Sequence, residues 1–186
     1  RIEVTGVFEL FISGLAVGCG YMYEIKRQGK GTTRKLDPVS RQISSVPITA
    51  SVVSDENMPD SYAWNDGLWM IKRKKEAGKK KPVTVYEVSL TDWLKEKSAD
   101  ELVDFVKQEG YTHVCFLPVA EYLNEEMNGY STLGYFAVTH RIGGSDAFKK
   151  LVDDCHNAGI GVIIDWNGAY FGTEAKGLYD FDGADA

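Results

Sequence analysis

The sequence has no long apolar run, and it contains little cysteine or proline. Its 186 residues include three cysteines and five prolines. A membrane-spanning helix needs about 18 to 20 consecutive apolar residues, so we expect no membrane partner. Cys19, Cys115 and Cys155 are too few and too dispersed for a disulfide framework. Such cysteines are typical of a reducing compartment, and we therefore expect a cytoplasmic protein.

An excess of positive charge is also missing. The chain has 21 basic and 27 acidic residues and a net charge of −6. Proteins that hold nucleic acid through its phosphates are usually basic, so we predict no nucleic-acid partner. The three histidines show no metal-ligand spacing with the cysteines. We therefore expect neither a metal nor a cofactor.

One short segment departs from this acidic balance. Residues 72–75 and 79–81 consist of lysines and one arginine. Such a run is either a patch for an anionic partner or a solvated surface between two domains. The acidic net charge favours the second interpretation.

The sequence divides into three stretches with different residue patterns. Residues 1–52 contain strand-like runs at 7–12 and 21–26 separated by glycine-rich turns, and two or three such strands make only part of a β-sandwich. Residues 53–82 carry prolines and glycines typical of a connector. Residues 83–186 alternate between strand and helix patterns, which predicts a parallel sheet.

The alternation after residue 83 can be followed element by element. Strands are predicted at 83–90, 113–118 and 161–165. The first helix begins at a capping box formed by Ser98 and Glu101. Ser145 is the candidate cap of the second helix.

The segment between the second strand and the second helix, residues 119–144, is longer than most loops. Long loops after parallel strands often build binding sites. It contains Glu121, Tyr130, Tyr135 and Phe136. We expect Tyr135 and Phe136 to pack the loop onto the protein. Tyr130 has polar neighbours and is the better candidate for stacking on a sugar ring.

Asp165 stands where the apolar strand 161–164 ends. Ligands of parallel α/β folds bind at the carboxyl ends of strands, so this carboxylate is a candidate binding group. It could equally cap the following turn, and position alone leaves both interpretations open.

A series of motifs resembles one family over nearly the whole chain. The motifs in order are Phe8-Glu9-Leu10-Phe11, Lys35-x-Asp37-Pro38, Trp64-x-Asp66, Tyr86-Glu87-Val88, Leu117-Pro118-Val119, Gly129-Tyr130, Asp154-Cys155-His156 and Ile164-Asp165-Trp166. With these motifs the chain resembles the glycogen (1,4-α-glucan) branching enzymes of the α-amylase superfamily.

The resemblance implies a fold of two parts. Residues 1–52 would be the C-terminal part of a β-sandwich carbohydrate-binding module. Residues 53–82 would connect it to residues 83–186, the first three β/α units of a TIM (β/α)8 barrel. The implied partners are α-1,4-glucans such as glycogen, amylose and amylopectin.

The resemblance also implies the binding residues. Tyr130 matches the aromatic residue that stacks on the sugar at the cleavage subsite, and Asp165 matches the carboxylate that positions the chain there. Tyr170 stands where the family usually has a histidine. Tyrosine can donate a hydrogen bond and stack, but it cannot carry a positive charge. Asn167-Gly168 and Asn128 also depart from the family pattern.

In this family the nucleophile and the acid come from the fourth and fifth barrel strands. We therefore expect no catalytic residue in this chain, and we expect the chain to be an inactive fragment of a branching enzyme. Two other hypotheses remain open. One is a non-catalytic α-glucan-binding remnant, and the other is a debranching or trehalose-forming member of the same superfamily.

Overall fold

The computed structural model describes residues 9–27, 29, 31–44, 48–54, 62–173 and 176–181. Within these ranges the strands are β1 Gly20–Tyr21, β2 Tyr23–Arg27, β3 Gly31–Lys35, β4 Ile43–Ser44, β5 Ala50–Val52, β6 Val85–Val88, β7 His113–Phe116, β8 Ala120–Tyr122, β9 Thr132–Val138 and β10 Gly161–Ile164. The helices are α1 Gly67–Glu76, α2 Leu90–Trp93, α3 Ala99–Gln108 and α4 Gly144–Asn157.

The first region, residues 9–54, is built from antiparallel strands. Strands β1, β5 and β4 form one sheet, and β2 pairs with β3 in a hairpin. The strand predicted at 21–26 is therefore present as β1 and β2. Of the strand predicted at 7–12, residues 9–12 lie outside any strand, and Phe11 is 89% exposed. Residues 7 and 8 lie outside the described residues.

A buried aspartate holds this region together. The carboxylate of Asp37 accepts hydrogen bonds from the hydroxyls of Tyr21 at 2.5 Å and Tyr23 at 3.2 Å. It also accepts one from the backbone N–H of Val39 at 2.9 Å. The backbone N–H of Asp37 in turn donates to Ser51 Oγ at 2.9 Å. This one residue thereby links β1, β2 and β5.

The second region contains a parallel sheet in the order β10-β7-β6. His113 on β7 is in register with Val85 on β6 and Gly161 on β10. Helix α3 begins at the predicted capping box, in which Ser98 Oγ accepts from Glu101 N–H and the Glu101 carboxylate accepts from Ser98 N–H. The helices bury one face of the sheet in a core that includes Val88, Leu102, Val106, Val114, Phe116, Phe148 and Leu151.

Helix α4 begins differently from the prediction. Its N-cap is Gly143, and Ser145 lies inside the first turn. A 3₁₀ turn at His140–Ile142 leads directly into Gly143, which has a φ of 87°. A Cβ at Gly143 would lie 2.8 Å from that of Ala147, so glycine suits this junction for both reasons.

Residues 119–144 form a hairpin rather than an extended loop. Strands β8 and β9 pair antiparallel with two register shifts, which hide the alternating pattern of a strand. Glu121 on β8 is 2% exposed and forms an ion pair with Arg141 at 2.9 Å. It also accepts from the backbone N–H of His140 at 2.9 Å, so it joins the hairpin to the turn before α4.

The predicted connector includes helix α1, which docks on α4. Asp66 precedes α1 and lies 2.7 Å from His156 Nδ1. The rings of Trp69 and His156 stack with centroids 3.6 Å apart. On α4, the buried Asp153 accepts from the backbone N–H of Asn65 at 3.0 Å. His156 is thus a packing residue between α4 and α1.

The two regions meet at the β8–β9 hairpin. Leu36, Ile43, Leu133 and Ala137 form a small core between them. Lys35 is 2% exposed and donates to the carbonyl of Tyr179 at 2.6 Å. In the described part of the chain, no helix is long and apolar enough to cross a bilayer.

Candidate functional site

Asp165 lies directly after β10, at the carboxyl edge of the parallel sheet. Its backbone N–H donates to the carbonyl of Phe116 at 2.9 Å, which continues the pairing of β10 with β7. The sheet therefore fixes the backbone of Asp165, while its side chain is only half-buried. A carboxylate held in this way can receive a ligand with little loss of conformational entropy.

Tyr130 is brought to Asp165 by a tight turn. Asn128 and Gly129 have φ values of 48° and 86°, the left-handed region that asparagine and glycine tolerate best. A Cβ at Gly129 would lie 2.8 Å from the carbonyl oxygen of Pro118, so the turn requires glycine there. The turn aims the Tyr130 side chain at the sheet edge.

The Tyr130 hydroxyl donates a short hydrogen bond to Asp165 Oδ2. This bond, together with burial and the negative charge of Asp165, raises the pKa of Tyr130 to about 12. The hydroxyl therefore remains protonated at neutral pH and keeps donating. Among the described residues no group donates a hydrogen bond to Asp165 Oδ1, which leaves that oxygen for a ligand.

Tyr170, the third predicted binding residue, lies on the loop that follows Asp165. Its side chain is 51% exposed, and its backbone carbonyl accepts from the Tyr135 hydroxyl at 2.8 Å. Asn167 Oδ1 accepts from the N–H of Ala169 at 3.1 Å, so a side-chain turn shapes the Asn167-Gly168 segment. Tyr135 and this turn hold the loop while the Tyr170 ring faces solvent.

Exposed aromatic residues line the same cleft as Asp165. Trp166 is 60% exposed and its ring centroid lies 5.5 Å from that of Tyr135. A cleft of about 180 Å³ is lined by Phe136, Asp165 and Trp166, among others. The expected packing of Tyr135 is seen, whereas Phe136 is 61% exposed and the expectation for it was wrong. Phe136 lies on β9 between the half-buried Tyr135 and the buried Ala137, and its ring points to the exposed side of the strand.

Glu87 was quoted from the sequence as part of a motif but not as a site residue, although it lies on the same face of the sheet as Asp165. It is exposed and pairs in register with Cys115. Burial, followed by the negative charges of Glu87 and Asp165, raises the pKa of the Cys115 thiol. The thiol is therefore protonated at neutral pH and is a poor nucleophile. The alternation of β6 was the signal that could have placed Glu87 beside the site.

This arrangement is suited to binding a polyhydroxylated ligand. Carboxylate oxygens accept hydrogen bonds from hydroxyls, and aromatic faces stack on the apolar faces of sugar rings. Within the described residues, no group of three or more His, Cys, Asp or Glu side chains could hold a metal ion.

The chain is similar in sequence to 1,4-alpha-glucan branching enzymes. A 1,4-alpha-glucan branching enzyme of Methylococcus capsulatus is 42% identical over 189 residues, which cover 96% of this chain and 25% of the relative. The same enzyme of Nitrosococcus oceani is 40% identical and covers 97% of this chain and 25% of that relative. The chain is homologous to part of the branching enzymes. The resemblance predicted from the motifs is thereby confirmed.

The alignments cover nearly all of this chain but only part of each relative. The chain spans about a quarter of the length of the curated relatives it matches. Among solved structures, a putative alpha amylase from Salmonella typhimurium aligns with a TM-score of 0.61 and 25% identity. That alignment covers 80% of this chain and 24% of the other. The chain therefore has a mixed fold like that of an α-amylase-type protein. No protein-family model matches it.

Proposed function

We propose that this chain forms part of the glucan-binding site of a 1,4-α-glucan branching enzyme, with Asp165 and Tyr130 as its central contacts. The carrying observation is the Tyr130–Asp165 hydrogen bond, which orients one carboxylate oxygen and leaves the other open. The names of the relatives support the substrate class. The polymers would be glycogen, amylose or amylopectin, and we expect no nucleic-acid or membrane partner.

The proposed architecture has two parts. Residues 1–52 would belong to a β-sandwich carbohydrate-binding module, and residues 83–186 would contribute the first three β/α units of a (β/α)8 barrel. Residues 53–82 would connect these two parts. The antiparallel sheets of the first region and the parallel order β10-β7-β6 support this division. Three free cysteines are in keeping with a cytoplasmic location.

The proposed reaction cleaves an α-1,4 bond and transfers the released chain to a 6-hydroxyl, forming an α-1,6 branch. A retaining transfer uses two carboxyl groups about 5 Å apart, one as nucleophile and one as acid and base. We place both outside these 186 residues. Asp165 would accept a hydroxyl of the bound sugar, Tyr130 would pack against its ring, and Tyr170 would stack or donate from the loop.

Binding of maltoheptaose, measured by NMR titration of the 186-residue chain, tests this proposal. We expect Asp165→Asn to weaken binding about tenfold, because a charged acceptor becomes a neutral amide. Tyr130→Phe should weaken it less, since the ring remains.

Matched substitutions far from the site serve as controls. Asp104 is exposed on α3, and the ring of Tyr111 contacts that of Tyr86 with centroids 5.3 Å apart, so the controls are Asp104→Asn and Tyr111→Phe. Both should bind like the parent chain. Equal weakening by Asp104→Asn and Asp165→Asn would argue against the site. An amylose assay of the same chain should show no new α-1,6 linkages, and their appearance would refute the placement of the catalytic pair.

A further inference from the structure

A third of the basic residues lie in one short segment, residues 72–81, which we call the basic segment. It holds seven of the 21 lysines and arginines and one of the 27 acidic residues. The rest of the chain is left with 14 basic and 26 acidic residues. A protein of net charge −6 thus concentrates its positive charge at one place.

The basic segment forms one wall of a cleft of about 410 Å³. The opposite wall is the amino edge of the parallel sheet, with Val83, Thr112, His113 and Gly161. Asp165 lies at the carboxyl edge of the same sheet, so this cleft is separate from the candidate glucan site. Its volume falls within the range of about 300 to 1,000 Å³ that is usual for small-molecule sites.

The positive charge of the cleft is only partly neutralised. Lys72, Arg73, Lys79 and Lys81 line it, and Glu76 is its only acidic lining residue among those described. Glu76 forms an ion pair with Lys81 at 2.7 Å. In the described part of the chain, Lys72 and Lys79 have no carboxylate within ion-pair distance. The cleft therefore carries more positive charge than its own residues balance.

The floor of the cleft presents polar groups in a fixed orientation. Thr112 Oγ1 donates to the carbonyl of Thr84 at 2.9 Å, so its contact with His113 Nδ1 at 2.8 Å requires the histidine N–H to donate. The other ring nitrogen of His113, Nε2, takes no part in this contact. The His113 ring lies over Gly161, where a Cβ would come within 2.3 Å of it. Glycine keeps this part of the floor open.

We propose that this cleft binds a small phosphorylated metabolite through its phosphate group. Lysine ammonium groups bind phosphate as point charges, and several of them converge here on a volume that suits a sugar phosphate. A long polyanion such as nucleic acid fits less well, because the surrounding protein is strongly acidic and would repel its remaining charges.

Isothermal titration calorimetry of the 186-residue chain at constant low ionic strength tests the proposal. We expect glucose 6-phosphate to bind saturably with one site per chain and uncharged glucose to give no signal from this cleft. Inorganic phosphate should compete, which would assign recognition to the phosphate. Absence of binding by glucose 6-phosphate and phosphate would overturn the proposal. A single-stranded oligonucleotide that binds and is not displaced by glucose 6-phosphate would overturn it in favour of a nucleic-acid surface.

Two double variants of equal charge separate a site from diffuse attraction. Lys72→Gln with Lys79→Gln removes two lining cations, whereas Lys74→Gln with Lys80→Gln removes two exposed cations of the same segment that do not line the cleft. We expect the first pair to weaken glucose 6-phosphate binding about five- to tenfold and the second less than twofold.

Equal weakening by both double variants would refute a defined site. Glu76→Gln provides the opposite test, because it removes the single carboxylate of the cleft. We expect it to tighten binding about two- to fivefold. Circular dichroism of every variant checks that the fold is retained, so a loss of binding can be assigned to the charges.

Discussion

The two regions of the molecule each contain a tyrosine that donates to an aspartate, and the two pairs differ in what else the aspartate binds. Asp37, in the antiparallel region, accepts from Tyr21, Tyr23 and the Val39 backbone and is 9% exposed. Asp165, at the parallel sheet, accepts from Tyr130 and is half-buried. Both oxygens of the Asp37 carboxylate accept hydrogen bonds from the protein. Asp165 Oδ1 accepts none from the described residues.

This difference separates a structural pair from a binding pair made of the same residue types. A carboxylate that already accepts several hydrogen bonds is not available to a ligand. Removing that carboxylate by substitution leaves its donors unpaired. A carboxylate with one fixed and one open oxygen is oriented and still available. The contrast leads to four expectations about the chain.

The largest effect is expected on stability. Asp37→Ala leaves three donors without their acceptor, and we expect it to lower the free energy of unfolding of the first region by about 3 kcal/mol. Asp165→Ala removes one bond at a half-exposed position and should cost about 1 kcal/mol or less. Hydrogen exchange of the backbone amides in β5 measures the stability of the first region, and exchange in β10 measures that of the second. A greater loss of unfolding free energy for Asp165→Ala than for Asp37→Ala would contradict the assignment of Asp37 as the structural and Asp165 as the binding residue.

The second expectation concerns tyrosine ionisation. The hydrogen bond to Asp165 is the main cause of the raised pKa of Tyr130, whereas burial is the main cause for Tyr21. Asp165→Asn should therefore lower the pKa of Tyr130 toward its usual value near 10. Asp37→Asn should leave the pKa of Tyr21 raised. Ultraviolet titration of the tyrosines, with Tyr130→Phe and Tyr21→Phe to assign the signals, measures both.

The sign of the stability effect follows from these pKa values. Below pH 10 Tyr130 is neutral in the folded and the unfolded chain, so its contribution is fully present. As the pH rises through the folded value of about 12, the unfolded chain has already ionised and the contribution is lost. Tyr130→Phe should accordingly reduce the loss of stability between pH 10 and 12. An unchanged alkaline slope would contradict the role of this hydrogen bond.

The smallest effect is expected at Tyr170. Its ring is exposed, and the contact that holds the loop uses its backbone carbonyl. Tyr170→His, which introduces the residue usual in the resembling family, should change the free energy of unfolding by less than about 0.5 kcal/mol. Urea denaturation measures this, with Tyr135→Phe as a comparison that removes the hydrogen bond itself. A large loss for Tyr170→His would show that the ring supports the loop.

Elements with strong local signals were predictable from the sequence. The capping box of Ser98 and Glu101 marked α3, and the apolar runs marked β6, β7 and β10. Asp165 was found because it ends such a run. Helix α1 was missed because it has no buried residue among its ten, and therefore shows no clear apolar stripe.

Features that depend on distant partners could not be predicted. The β8–β9 hairpin is interrupted by register shifts, and its stability depends on Glu121 meeting Arg141 twenty residues later. The Tyr130–Asp165 bond joins residues 35 positions apart. No local pattern shows which oxygen of Asp165 stays open, because that depends on how the turn before Tyr130 packs against the end of β10.

The partly buried hydrogen bond from Lys35 to the carbonyl of Tyr179 has a consequence for synthesis, since the two residues are 144 positions apart. At about 5 to 20 residues per second, translation of that interval takes about 7 to 30 seconds. Contacts of such long range close a large loop, so they form more slowly than the local pairing of β3 with β2. The bond from Lys35 to Tyr179 is therefore expected to be among the last contacts to form.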